Sequence, residues 1–153
     1  MSPVVSELCH VGTLRRCLAS RPIPRPAASS YALNVIEAGR RKRNQPAPPR
    51  FVFEALTQPN RDSSRFWLLL LDDEVPPLVI EAVEPHLVVW SSLWIKRPDA
   101  QVRFDLSSDG GLGTALCWTI MVDDQLPDPP LLGHIRKRMN FLINASLRYS
   151  FGQ

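Results

Sequence analysis

The strongest alternation of hydrophobic and polar residues lies between positions 100 and 122, and it predicts a β-hairpin. Residues 100–106 are apolar at every second position, which is typical of a strand with one buried face and one wet face. Ser108-Asp109-Gly110-Gly111 follows, and its glycines supply the positive φ angles that a tight turn needs. The returning strand, 114–122, places three large apolar side chains on one face: Leu116, Trp118 and Ile120.

Three other segments predict further strands of the same sheet. Residues 78–82 alternate, a turn follows at Pro85-His86, and residues 87–94 are rich in β-branched and aromatic side chains. A first strand is predicted over residues 31–38. The basic run at 40–43 comes next, and we interpret it as a solvated strand end or loop. A nucleic-acid contact or a localisation signal is the alternative for this run.

The Pro-rich segment before residue 50 stops the first strand, and helical periodicity follows it. Phe51, Val52, Ala55 and Leu56 fall on one side of a helix that Pro59 closes. This pattern predicts a short helix directly after the first strand.

A second short helix is predicted through residues 66–71. Asp62-Ser63-Ser64 provides capping side chains for its start. The apolar run itself is equally typical of a buried strand, because periodicity alone does not separate the two for short segments. The capping residues favour the helix.

A long amphipathic helix is predicted at the C-terminal end. It begins after the prolines at 127–130, with Asp128 as N-cap, and ends at Gly152 after about five turns. Its apolar stripe has a period of 3.6 residues and must lie against a large apolar surface. The inner face of the antiparallel meander is the surface available. The stripe comprises Leu132, Ile135, Met139, Leu142, Ile143 and Leu147.

Charge divides the 153 residues into two parts. The net charge of +3 arises from +7 over residues 1–50 and −4 over residues 51–153. Residues 1–30, with alternating prolines at 22, 24 and 26, predict a poorly ordered extension, for which a transit peptide is the alternative. Residues 51–153, the acidic part of the chain, lack the clustered basic and aromatic residues of a nucleic-acid groove, so no nucleic-acid partner is predicted.

Cysteine usage and hydropathy bear on the compartment. Cys9, Cys17 and Cys117 are odd in number and widely spaced, which argues against a disulfide framework and favours a reducing, cytoplasmic environment. The longest apolar run, 66–71, is far shorter than the ~20 residues that cross a bilayer, so no membrane span is predicted. Nothing in the sequence indicates the oligomeric state.

The sequence carries no catalytic signature and no motif for a cofactor or a metal. It has no G-x-S-x-G elbow and no Walker loop. Ser92, Arg103 and His134 are the polar candidates for a catalytic role. The acidic clusters at 72–74 and 123–124 are interpreted as solvated loops, with cation binding as the alternative.

Three stretches resemble the START-like, polyketide cyclase/dehydrase-like (SRPBCC) superfamily. Residues 46–59, P-A-P-P-R-F-V-F-E-A-L-T-Q-P, are similar to the family's entry into its first helix. Residues 88–94 and 100–118 resemble its central hairpins, and 131–153 resemble the closing helix of bacterial members. The sequence departs from the family pattern at residues 39–43, where a clean alternating strand is usual.

This resemblance covers residues 31–153 and implies one α+β helix-grip domain. In that fold a curved antiparallel sheet wraps around a long C-terminal helix, and two short helices follow the first strand. Members commonly hold a hydrophobic molecule between sheet and helix. The chain is therefore expected to bind a lipid- or polyketide-like small molecule without catalysis or a cofactor. The alternatives are a cyclase/dehydratase-type enzyme and an interaction module that uses the basic N-terminal third.

Six large apolar side chains are predicted to contact that ligand. They lie on the inner face of the predicted sheet and on the apolar stripe of the long helix. A filled hydrophobic core without a ligand cavity is the alternative, since inward-facing aromatic residues are core residues first. The six are Trp90, Trp94, Phe104, Trp118, Met139 and Ile143.

Overall fold

An antiparallel sheet of five strands organises residues 34–152, which the computed structural model describes. The strand order is β1-β5-β4-β3-β2, so β2 to β5 form a meander and β1 pairs with the last strand. The predicted extension, residues 1–30, lies outside the described residues. The strands are β1 Val35–Gln45, β2 Val79–Val83, β3 Leu87–Trp90, β4 Gln101–Ser108 and β5 Thr114–Asp123.

The predicted central hairpin is confirmed. In β4 the side chains alternate between exposed and buried, as the sequence pattern requires. Phe104 pairs with Trp118 of β5, and Leu106 pairs with Leu116, so large apolar side chains meet on one face. Gly110 has a φ of 93° in the connecting turn, a conformation that glycine adopts without steric cost.

β1 continues beyond the predicted end at residue 38, because the basic run at 40–43 lies within the strand; residues 31–33 of the predicted strand lie outside the described residues. The strand continues to Gln45, with an irregularity in register between Glu37 and Gly39. Among the strands of residues 34–152, β1 lies at the edge of the sheet beside β5, and long charged side chains are common on edge strands because they discourage pairing with other chains.

The first predicted helix is confirmed as α1, Pro49–Thr57. Pro49 occupies a first-turn position, where the missing N–H of proline costs no hydrogen bond. Val52 and Leu56 are buried one helical turn apart. The helix therefore packs one face on the core and leaves the other face open.

The second predicted helix is wrong: residues 65–71 form no helix. Asn60 explains the difference, because its side chain forms hydrogen bonds with backbone N–H and C=O groups that would otherwise pair within a helix. Its Oδ1 accepts from the N–H groups of Trp67 and Leu68 at 2.9 and 3.0 Å, and its Nδ2 donates to the Leu68 carbonyl at 2.7 Å. Residues 62–64 form a turn in which the Asp62 carboxylate accepts from the N–H and hydroxyl of Ser64.

The long C-terminal helix is confirmed over residues 129–150. It comprises α2 Pro129–Phe141, a π-helical segment Leu142–Leu147 and α3 Arg148–Ser150, with Gly152 at a φ of 86° directly after it. Asp128 is the N-cap residue, as predicted, but its side chain makes no capping hydrogen bond. Leu132 of the predicted stripe is half-buried, and the other five positions are buried: Ile135, Met139, Leu142, Ile143 and Leu147.

The helix and the inner face of the sheet share one hydrophobic core. Within residues 34–152, no helix is both long enough and apolar enough to cross a membrane.

Candidate functional site

The six residues predicted to contact a ligand all lie in the core between sheet and helix. Each exposes 2% or less of its surface. Trp90 packs edge-on against Phe104, with 4.8 Å between ring centroids, and its indole N–H donates to the Leu56 carbonyl at 2.8 Å. The structure thus brings the six residues into one cluster, here called the inner cluster: Trp90, Trp94, Phe104, Trp118, Met139 and Ile143.

Two tryptophans of the inner cluster differ from Trp90 in the hydrogen bonding of their indole N–H groups. The indole N–H groups of Trp94 and Trp118 are buried and have no acceptor among the described residues. A buried donor without a partner costs about 1–3 kcal/mol, so such groups are uncommon in folded proteins.

An open groove of about 570 Å³ lies beside the inner cluster. We call it the Trp67 groove. Its walls are the open face of α1, the loop that follows α1, and the end of the C-terminal helix. The volume falls in the usual range for small-molecule sites. Its apolar lining includes Phe51, Ala55, Trp67 and Phe151.

Trp67 connects this groove to the inner cluster. Its ring stacks on that of Trp90, with 6.0 Å between centroids and 24° between planes. Asn60 fixes the backbone at Trp67 through the hydrogen bonds described above, and its own φ of 61° is one that asparagine tolerates. The floor of the groove is therefore held in place by the loop and backed by the aromatic core.

The charged residues at the rim of the Trp67 groove are paired. Arg61 contacts Glu54 at 2.9 Å and Arg65 lies 3.7 Å from Asp62, and all four side chains are exposed. Hydrogen bonds from the Ser64 hydroxyl and N–H lower the pKa of Asp62, so this carboxylate stays ionised. Two cations facing two anions leave the rim without excess charge.

A second depression of about 460 Å³ adjoins the Trp67 groove. The two share Arg65, Trp67, Ser150 and Phe151 as lining residues. Sequence reasoning missed Trp67 as a surface-lining residue because it placed residues 66–71 in a helix. The Asn60 side chain that shapes this loop leaves no periodic signal in the sequence.

The polar candidates for catalysis take part in structural contacts. Ser92 bonds to the Arg97 carbonyl at 2.6 Å and accepts from the Trp94 N–H at 3.0 Å. Arg103 pairs with Asp105 on the exposed side of β4, at 2.9 Å. His134 lies 3.1 Å from Asp73 at the surface. The Trp67 groove and the adjoining depression include none of Ser92, Arg103 and His134.

The acidic cluster at residues 72–74 anchors the C-terminal helix. Glu74 is buried, and its carboxylate receives the Arg138 guanidinium at 2.7 and 2.9 Å as well as the Leu71 N–H at 2.9 Å. Two-point pairing of this kind fixes geometry as well as charge. Among residues 34–152, no group of three or more potential metal ligands is present.

Comparison with solved structures identifies the fold. No protein-family model matches the sequence, and no curated protein matches it. The crystal structure of CalU16 from Micromonospora echinospora is 20% identical, covers 77% of this chain and 84% of its own, and superposes with a TM-score of 0.56. The solution structure of the Aha1 dimer from Colwellia psychrerythraea is 12% identical, covers 74% and 92%, and gives 0.51.

The chain has the helix-grip fold. These two superpositions confirm, for the fold, the resemblance seen in the sequence. A curved five-stranded sheet, a short helix after the first strand and a C-terminal helix match that architecture. At identities of 20% and 12%, the similarity to these structures establishes the fold alone.

Proposed function

We propose that this protein binds a hydrophobic small molecule, lipid-like or polyketide-like, and does not transform it. The observation that carries the proposal is the Trp67 groove, which has an aromatic floor and a charge-balanced rim. An apolar ligand gains about 25 cal/mol for each Å² of apolar surface removed from water, while unpaired rim charges would oppose its binding. The cytoplasm is the proposed compartment.

In this proposal the inner cluster forms the inner wall of the site. Trp67 lies between the groove and Trp90, so a ligand seated on Trp67 is one aromatic layer away from the inner cluster. Longer ligands would reach the inner cluster by displacing the Trp67 ring. Ligand contact by the six predicted residues is therefore part of the proposal.

Two exposed phenylalanines provide a matched test. Phe51 lines the Trp67 groove and exposes 50% of its surface, whereas Phe141 lies on the C-terminal helix outside the groove and exposes 54%. A neutral dye such as Nile red, followed by fluorescence, reports apolar binding without a contribution from charge. We expect Phe51→Ser to weaken dye binding about tenfold, the equivalent of about 1.4 kcal/mol of lost apolar contact.

Phe141→Ser should leave the dye affinity unchanged. Competition by neutral long-chain alcohols and by polyketide-like aromatics would then rank the ligand classes. Equal loss of affinity in both variants, or no saturable dye binding by the parent protein, would contradict the proposed site.

A further inference from the structure

Another groove, of about 730 Å³, lies between β1 and the C-terminal helix, apart from the Trp67 groove and its adjoining depression. We call it the basic groove. Four basic side chains and one acidic side chain line it. Arg40 pairs with the acidic one, Glu37, at 3.2 Å. The remaining cations, Arg41, Arg136 and Lys137, form no ion pair with any residue among 34–152.

Arg136 is held in place by the irregular part of β1. Its Nε donates to the Ala38 carbonyl at 2.6 Å, and its terminal nitrogens have no acceptor among the described residues. Gly39 makes room for it, because a Cβ at this position would lie 3.1 Å from the Arg136 Cγ. The guanidinium is thus fixed at one nitrogen and open at its other end, an arrangement suited to pairing with the oxygens of a carboxylate or a phosphate.

Trp118 supplies a buried donor at the same groove. It lines the basic groove with 2% of its surface exposed, and its indole N–H has no partner within residues 34–152. Arg41 is its cross-strand neighbour, and cross-strand neighbours project from the same face of a sheet. The groove therefore combines three uncommitted cations with a buried N–H group.

We infer that the basic groove binds an oxyanion, the phosphate or carboxylate group of a small molecule. An oxyanion gains charge-assisted hydrogen bonds from guanidinium groups, and in this groove it would lie beside the Trp118 indole. The recessed position and the volume, which exceeds that of one anion, suit an anionic group carried by a larger molecule. This site shares no lining residue with the charge-balanced Trp67 groove, and the inference does not depend on the proposed apolar ligand, although Trp118 also belongs to the inner cluster.

The experiment uses the indole signals of the ¹⁵N-labelled full chain. The sequence has four tryptophans, so the Trp118 signal is assigned by its loss in Trp118→Phe. Inorganic pyrophosphate and succinate are titrated separately, and sodium chloride at matched ionic strength is the screening control. We expect a saturable shift of the Trp118 signal with at least one oxyanion and none with chloride. Whichever of pyrophosphate and succinate binds more tightly shows whether the site prefers phosphate or carboxylate groups.

Adjacent basic residues of β1 give the matched variants. Arg41 lies on the Trp118 face, whereas Lys42 pairs with Cys117 on the opposite face, and both are exposed. We expect Arg41→Gln to weaken oxyanion binding about tenfold and Lys42→Gln to leave it unchanged. Lys137→Gln serves as the second variant if Arg41→Gln lowers the melting temperature.

Two results would overturn the inference. One is the absence of a Trp118 shift with either oxyanion. The other is equal weakening in Lys42→Gln and Arg41→Gln, which would indicate diffuse attraction to a basic surface. Nile red binding to the Trp67 groove should be unchanged in all three variants, so failure of one site is distinguishable from failure of the other.

Discussion

The inner cluster and the Trp67 groove both contain aromatic side chains but differ in what covers them. The C-terminal helix lies over the inner cluster, and Met139 and Ile143 of that helix are fully buried. Within residues 34–152, no element covers Phe51 to the same extent, and half of its surface is exposed. Trp67 connects the two regions, since it stacks on Trp90 of the inner cluster and lines the groove.

An aromatic face in the sequence therefore does not by itself locate a binding surface. Burial of a large apolar side chain contributes about 1.5–3 kcal/mol to folding, and a filled core uses that energy for stability. An open apolar surface keeps the same energy available for a ligand. Substitutions in each region should therefore change either folding stability or ligand affinity, and the largest effect is expected in the core.

Met139→Asp should abolish folding, whereas Lys137→Asp should not. Met139 is fully buried in the inner cluster and Lys137 is exposed two positions away on the same helix. An unpaired buried carboxylate costs several kcal/mol, and a domain of this size has about 5–15 kcal/mol of stability to lose. A surface substitution stays within about 0.5 kcal/mol.

Soluble yield and thermal melting measure this difference. Equal melting temperatures for the two variants would mean that the helix does not present Met139 to the sheet. Lys137 also lines the basic groove. Lys137→Asp should therefore weaken oxyanion binding in a protein that is about as stable as the parent.

The sequence predicted the sheet and the C-terminal helix well because their signals are periodic. Alternation in residues 100–106 and the stripe through Met139 each follow from one-sided burial, which local spacing records. The loop around Trp67 could not be predicted, because the side chain that shapes it, Asn60, acts through hydrogen bonds to backbone groups seven and eight residues away. The β1 extension was missed because an edge strand tolerates charge on both faces.

The candidate site was predictable only in part. Burial of the six inner residues follows from their periodic positions, and the sequence located them correctly in one core. The grooves depend on gaps between elements, such as the space over Gly39 that admits Arg136. Gaps of this kind arise from tertiary packing and have no signature in the spacing of apolar residues.

Met139→Ala distinguishes a filled core from a ligand cavity at the inner cluster. If the core is filled, removing the thioether side chain costs about 2–5 kcal/mol of unfolding free energy and leaves ligand preference unchanged. If a ligand reaches the inner cluster, the added space favours larger ligands. Urea unfolding measures the first effect, and competition with neutral alcohols of increasing length measures the second. We expect a shift toward longer alcohols, and its absence would confine the ligand to the Trp67 groove.

The smallest expected effect concerns Asp99, which secures the loop that carries Trp94 of the inner cluster. Its carboxylate pairs with Arg97 at 2.6 Å and accepts from the Asp123 N–H at 2.8 Å, while the Arg97 carbonyl accepts from Ser92. The hydrogen bond from Arg97 is the largest contribution that lowers the pKa of Asp99, from 3.8 to about 2. The unfolded chain therefore binds the additional proton first as the pH falls.

It follows that the contribution of Asp99 to stability is present above about pH 4 and is lost as the pH falls toward about 2. After allowance for solvent screening we expect about 1 kcal/mol. Urea unfolding across this range should show a steeper loss of stability for the parent than for Asp99→Asn, which has no proton to gain at this position. Parallel curves would mean that the pair does not hold this loop. Nile red affinity at neutral pH should be the same in both proteins, because the pair belongs to the framework of the inner cluster and lies outside the Trp67 groove.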